Sequence, residues 1–471
     1  MSNSVRKNYA YSAFVQIYGL LISLATSPYI SRKLGPEGVG INAYVIAVVS
    51  YFLMFGTLKS DFFSTREFIY SNKSKKVLWN IFFLRLTLMS IATFFYILYS
   101  LNSPLRIYFL WSLPSIFNAF IDVGWVYVAN ENFKVLAIRQ FIIRTISFGL
   151  VFVLVRSKED VVKFIALNSL TNLIVSIVIF AGVVKKYGPP SFNVKDAFKL
   201  FPGMFKLFLP EISSSVYVLL DRIMIGILSN KAEVGYYDIA SKIPAIFISL
   251  ISSMTPIMMT RMSNTINESK YDNFTNYVSK SFKFSFVMSV GMILSMLSIV
   301  KEFIPWFFGQ EYTKSIILVN IKIFIAFFVA LGTVAGHQSL ISLKKENYLT
   351  LGITAGAIVN FFLNLILIPK NGAYGAAIAS LIAEATVTIL LYVFLSRFVN
   401  LIKLLLSVKN ILPAVLISGV FVYFLVSLHI WWPLRGIFSV VVYVLTCMTF
   451  DKEVRMEILN ILKKFLIKLK L

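Results

Sequence analysis

Cysteine, histidine and acidic side chains are scarce in this sequence. One cysteine, Cys447, and two histidines, His337 and His429, among 471 residues exclude an intrachain disulfide and leave no Cys/His cluster with the spacing of a zinc site. Cys447 falls in an apolar run, where a small core residue is the expected role. Asp and Glu number 21 against 45 Lys and Arg, and charged residues of both signs make up 14% of the chain, where soluble domains carry about a quarter. There is no phosphate-cradling glycine loop, so neither a metal, a cofactor nor a catalytic constellation is expected. Long polar loops are missing as well. An enzyme acting on lipid-linked sugars would need one to hold its substrate, which disfavours a membrane glycosyltransferase or polymerase.

What fills the chain instead is apolar sequence: 58% hydrophobic residues and a mean hydropathy of +0.80. About 20 apolar residues are needed for a helix to cross the hydrocarbon core, and about fourteen such runs can be placed, from 9–30 to 431–450. The expected fold is an all-α polytopic membrane protein, with the first run kept as an uncleaved helix. The net charge of +24 would suit nucleic acid, but its placement argues otherwise. Tails and alternate gaps hold about three times as many basic residues as the intervening gaps. Positive residues stay on the cytoplasmic side, so both termini are predicted to be cytoplasmic, with no nucleic-acid partner.

Two echoes suggest an internal repeat. Glu37-Gly38-Val39-Gly40 returns as Glu233-Val234-Gly235-Tyr236, and Glu131-Asn132-Phe133 as Glu346-Asn347-Tyr348, each pair six predicted helices apart. The expected organisation is a transmembrane lobe at 1–184, an interfacial linker at 185–204, a second lobe at 205–396, two further helices at 397–450 and a basic amphipathic tail at 451–471. In the linker, Val194, Ala197, Phe198 and Phe201 fall at helical spacing. In the tail, Val454, Ile458, Leu462, Phe465 and Leu469 form one stripe flanked by basic residues, a pattern suited to anionic lipid. Repeated lobes are the usual build of secondary transporters.

Ionisable residues inside spans are costly and mark pathways or structural pairs. Arg85 and Asp122 fall at equal predicted depth on adjacent spans, which suggests a structural ion pair. Arg144 lies at similar depth with no obvious carboxylate. In the second half, Asp221, Arg222, Lys242 and Lys322 gather near the opposite end, with Asp238 one turn before Lys242. Lys322 has the reach to snorkel to the interface. Glu384, near the middle of its span, is a candidate ion-coupling carboxylate, and a buried neutral acid fits it equally well.

Several stretches resemble the polysaccharide flippases of the multidrug/oligosaccharidyl-lipid/polysaccharide exporter superfamily, the O-antigen and capsular repeat-unit transporters. The segment from Ser27 through Arg32, Lys33, Leu34, Gly35, Pro36 and Glu37 to Gly40 is similar to that family's first-helix signature. Arg66-Glu67, Asp122 to Trp125, and Asp221-Arg222 with Val234 to Tyr237 and Lys242 resemble its later motifs. This resemblance implies about fourteen helices in two pseudo-symmetric lobes around a central cationic cavity in the bacterial cytoplasmic membrane. It also implies alternating access for a polyprenyl-pyrophosphate-linked oligosaccharide. On that reading Arg222, Lys242, Lys322, Arg32 and Arg144 are candidate substrate-binding residues, and Glu384 and Asp221 are candidate sites for coupling to H+ or Na+. Membrane lipids and a polysaccharide polymerase are candidate partners. A drug or cation exporter of the same superfamily is the alternative, and would want an acidic cavity.

Overall fold

The structure is a computed structural model that describes the backbone of residues 3–267, 271–428 and 430–469. His429 lies outside the described residues, as do the side chains of Leu462, Phe465 and Leu469 in the tail stripe. Helices follow one another almost without interruption, and among the described residues there is no strand. That outcome follows from the solvent: lipid offers no hydrogen bonds, so each spanning segment must satisfy its own backbone.

Among the described residues, eleven stretches are long and apolar enough to cross a membrane. Two of them are double. Helix α1, Asn3–Thr57, breaks at Gly35, whose φ of 67° an L side chain rarely adopts, and Pro36 follows at once. Helix α14, Glu346–Leu395, breaks the same way at Gly372 (φ 53°) shortly after Pro369. Splitting these two and adding α9, Phe201–Leu228, which at 28 residues is about 42 Å long, gives fourteen spans. The expected number is therefore met, with two of its boundaries made by Gly and Pro instead of by polar loops.

The remaining helices, in order, are α2 Asp61–Tyr70, α3 Lys75–Asn102, α4 Arg106–Ile121, α5 Gly124–Ala129, α6 Phe133–Leu154, α7 Val161–Tyr187, α8 Val194–Phe198, α10 Lys231–Ser252, α11 Thr255–Asn267, α12 Tyr271–Phe308, α13 Ser315–Thr333, α15 Leu401–Leu406, α16 Leu412–Ser427, α17 Trp432–Phe450 and α18 Lys452–Leu469. Two compact units divide the chain, Met1–Gly235 and Tyr236–Leu471.

In the first unit, α1 packs on α3, α4, α6 and α9, and α4 on α7. One core joins Phe68, Trp79, Trp125 and Ile179 from α2, α3, α5 and α7. Segment 185–204 folds back on α3: Asn80 Oδ1 accepts from the Asn193 N–H at 2.9 Å, and Lys76 Nζ lies 2.6 Å from Asp196. Lys76 and Lys199 together hold the Asp196 carboxyl below the usual carboxylate range. Ala197 is buried while Val194 and Phe198 stay exposed, so this short helix has one free apolar edge.

The echoed glycines meet within the first unit. A Cβ on Gly40 would collide with the carbonyl of Lys231, and one on Gly235 with the carbonyl of Pro36. Bare backbone on both sides lets the two segments touch. Gly40→Ala should therefore cost about 1–3 kcal/mol by overpacking, whereas Gly419→Ala, with nothing within 4 Å of the new methyl, should be neutral or slightly stabilising. Melting temperatures of the two purified variants check this. Helix stops of one kind also lie beside the two members of the second echo, two residues out of register with it. Asn132 N–H donates to Tyr127 O and Lys345 N–H to Leu340 O, both at 2.9 Å, and the residues just before, Glu131 and Lys344, have φ of 55° and 57°. Both are helix stops of the left-handed type, each followed by a new helix.

In the second unit, α12 and α17 run side by side with ion pairs at both ends. Lys283 Nζ lies 2.8 Å from both Asp451 and Glu453, and Arg435 pairs with Glu302 at the far end. On α12 these ends are about 28 Å apart at 1.5 Å per residue, close to the hydrocarbon thickness. Between them the face is apolar or small, with Val290, Leu294, Tyr443 and Cys447 in one core. Cys447 is buried. Large apolar side chains such as Ile174, Ile366, Leu416 and Tyr423 stand exposed along the helices, where lipid is the natural neighbour.

Candidate functional site

Arg144 is the centre of a polar chamber in the first unit. It projects from α6 toward the first part of α1, where Gly19 leaves room for the guanidinium and the Val15 carbonyl accepts from Nη1 at 2.8 Å. Beside it opens a cavity of about 310 Å³ lined by Ser23, Thr26, Ser147, Asn168 and Asn172 together with apolar side chains of α1, α6 and α7. Among the described residues, one guanidinium, three hydroxyls and two amides face this space, and its lining holds no carboxylate. Asn168 and Asn172 sit one turn apart on α7, so both amides share a face. Chemically, such a chamber offers a positive charge for an anion and hydrogen bonds for hydroxyl groups.

The expected pairing of Arg85 with Asp122 is replaced by two other pairs. Arg85 Nη1 binds Asp61 at 2.7 Å, and Asp122 binds Arg139 of α6, Nη1 to Oδ1 at 3.0 Å and Nη2 to Oδ2 at 3.4 Å. Arg139 Nη2 also donates to Ser176 of α7 at 2.8 Å. The reason is local. Helix α4 stops at Ile121, Asp122 leaves the helical path and accepts the Gly124 N–H at 3.0 Å, and its carboxylate turns toward α6. Because α6 begins at Phe133, Arg139 is a helix residue, and it is 8% exposed.

In the second unit a polar network runs through buried helix faces. Lys322 of α13 is 7% exposed, and its Nζ sits 3.4 Å from the centroid of the Tyr237 ring, a desolvated cation–π contact. It does not snorkel. The Tyr237 hydroxyl is 3.1 Å from Ser380 Oγ; Asn360 Nδ2 donates to that same oxygen at 3.4 Å, and Asn364 Nδ2 to Asn360 Oδ1 at 3.0 Å. Glu384 lies one turn beyond Ser380 on α14 and is half-buried. Lys242 is half-exposed, 3.7 Å from Asp238 one turn earlier. Asn360, Asn364 and Ser380 were not singled out in the sequence, and Tyr237 only as part of the Val234 to Tyr237 motif, although the i,i+4 spacing of the two asparagines, and of Ser380 with Glu384, was the available signal.

Among the remaining candidates, Asp221 is 6% exposed on α9 and its neighbour Arg222 half-buried. Arg32 is exposed on α1 just before the Gly35 break, beside Lys33, whose Nζ lies 5.9 Å from the Tyr29 ring centroid.

Residues 5–262 match the family described as polysaccharide biosynthesis protein. The chain belongs to that family. A putative O-antigen transporter of Escherichia coli strain K12 is 24% identical over 401 residues, covering 83% of this chain and 96% of the relative. The capsular polysaccharide biosynthesis protein CapF of Staphylococcus aureus is 24% identical over 410 residues, covering 83% and 99%. Among solved structures, a lipid II flippase, MurJ, in an inward closed conformation aligns with a TM-score of 0.74 at 16% identity, over 94% of this chain and 99% of that one. The chain thus shares the fold of that flippase, and the resemblance noted in the sequence is a family relationship. Multi-pass insertion in a membrane follows from the spans and the family together.

Proposed function

We propose that this member of the polysaccharide biosynthesis family is a flippase that carries polyprenyl-pyrophosphate-linked oligosaccharide repeat units from the inner to the outer leaflet of a bacterial cytoplasmic membrane. The observation that carries this reading is the Arg144 chamber, where a cation, amides and hydroxyls face a cavity whose lining holds no carboxylate among the described residues. An exporter of organic cations would want the opposite charge. Moving a pyrophosphate through bare hydrocarbon costs tens of kcal/mol by Born estimates, and a polar, cationic chamber removes most of that barrier while the polyprenyl tail stays in lipid. A membrane potential negative inside adds about 2.3 kcal/mol per charge per 100 mV in the outward direction.

Arg222, Lys242, Lys322 and Arg32 are proposed to meet the same anionic substrate at other stages of an alternating-access cycle. Glu384 and Asp221 are proposed to exchange H+ or Na+ with that cycle, and a polysaccharide polymerase to receive the product. The direct test places purified protein in vesicles with lipid-linked oligosaccharide and measures exposure of the sugar to an impermeant glycosidase, alongside uptake of a fluorescent organic cation. Sugar translocation without cation uptake is expected; cation uptake without sugar translocation would overturn the proposal.

The proposed direction requires both termini to be cytoplasmic. Single cysteines in a Cys447→Ser background at the exposed positions Gln310 and Asn371 should then react with an impermeant thiol reagent added to intact cells. Those at Ser74 and Ser191 should react only after permeabilisation. The reverse pattern would invert the topology.

A further inference from the structure

One end of the second unit has two adjoining cavities that no step of sugar-lipid transport uses. The first, of about 220 Å³, is polar at its wall: Arg261 of α11, Lys280 and Ser281 of α12, Gln338, and Glu457 of α18 all line it. The second, of about 270 Å³, is an apolar slot bounded by Phe284, Val287 and Met288 of α12 and by Val444, Val454 and Ile458 of α17 and α18. Lys280, Phe284 and Glu457 line both, so a polar chamber and an apolar slot share a wall.

Three features of the polar chamber point to a ligand. Ser281 and Gln338 are 4% and 3% exposed, yet Ser281 Oγ and Gln338 Oε1 have no hydrogen-bond partner among the described residues. Leaving such buried atoms unsatisfied is destabilising, a cost that a ligand hydroxyl would relieve. Gln338 is held in place by Val334–Leu340, a π-helical segment continuing α13, and π segments recur at binding sites. Finally, among the described residues the chamber sets two cations, Arg261 and Lys280, against one carboxylate, Glu457, an excess of one positive charge. Lys283, next to them, is already taken by Asp451 and Glu453 at 2.8 Å.

A single negative charge, hydroxyl groups beside it and an apolar chain attached to it describe an anionic glycerophospholipid. We propose that the second unit binds one such lipid here: phosphodiester between Arg261 and Lys280, headgroup hydroxyls on Ser281 and Gln338, one acyl chain in the slot. Helix α18 forms the outer wall through Val454, Glu457 and Ile458, and its Met456 and Leu459 stand exposed, as suits a helix lying at a lipid interface. The lipid therefore fastens α18 to α12, in addition to the Lys283 pairs.

The test is the melting temperature of full-length protein in neutral detergent with phosphatidylglycerol, phosphatidylcholine or inorganic phosphate added. Phosphatidylglycerol should raise it by about 5 °C at saturation, and the other two by much less. The rise should vanish in Arg261→Ala/Lys280→Ala. Val287→Trp, which fills the slot but keeps both cations, should also lose it, and serves if the double variant folds poorly. Phosphatidic acid, which lacks a headgroup hydroxyl, should stabilise the wild type less than phosphatidylglycerol, and Gln338→Leu should narrow that difference. An equal rise with phosphatidylcholine, a full rise with phosphate alone, or an unchanged rise in Val287→Trp would each overturn the proposal. None of these outcomes depends on the transported substrate, so the lipid site and the flippase reading fail separately.

Discussion

Asp122→Ala should lower the stability of the purified protein by about 3 kcal/mol, because it strands a guanidinium that the fold has taken out of water. Arg139 is 8% exposed, with Asp122 as its only carboxylate partner among the described residues and Ser176 as a neutral one. A serine hydroxyl cannot balance the charge. The carboxylate side chain is 34% exposed, so water screens part of the interaction and the loss falls at the lower end of the range for broken buried pairs. Asp122→Ala also removes the acceptor for the Gly124 N–H, loosening the break between α4 and α5. Arg139→Met/Asp122→Ala, which removes both charges, should recover most of the loss. Thermal melting of the singles and the double in one detergent decides the matter: additive losses would mean that the two residues act independently.

The pairing was illegible in the sequence for a geometric reason. Equal depth on two neighbouring helices says nothing about azimuth, and one residue along a helix turns a side chain by about 100°. Asp122 sits where α4 has already ended, so no helical wheel could place its carboxylate. Span lengths, by contrast, were readable, since lipid imposes them directly. The double helices α1 and α14 show the limit of that reading. A Gly-Pro or Pro-x-x-Gly break separates two spans without any polar loop, and only backbone angles reveal it. Lys322 had two readings, a cavity residue or a snorkelling one, and its burial argues against the second. A lysine can snorkel wherever its stem is long enough, but the Tyr237 ring face supplies a closer partner. The meeting of Gly40 with Gly235 explains why those echoed tetrapeptides had to keep a glycine, a constraint that the repeat signalled without stating its cause.

Arg144 is the residue whose replacement should cost most in function. Losing a buried charge contact to an anion is worth about 2–5 kcal/mol, and 3 kcal/mol is about a hundredfold in binding. Arg144→Ala is therefore expected to reduce surface polysaccharide severely in a strain carrying it as the only copy. Arg144→Glu should be worse still, since it faces the pyrophosphate with a like charge. Arg144 also donates to the Val15 carbonyl, so some loss of fold is built into either change and must be separated from loss of transport. Arg144→Gln keeps a donor for Val15 while removing the charge; Arg144→Lys keeps the charge while giving up the planar fork. If the chamber works through its charge, Lys should retain much of the output and Gln little, at equal membrane expression and similar melting temperature. If Arg144 merely braces α6 against α1, Gln and Lys, which both keep a donor for the Val15 carbonyl, should behave alike. Full polysaccharide output from Arg144→Glu at wild-type expression would remove the chamber from the transport path, because no anion would then be crossing beside that side chain.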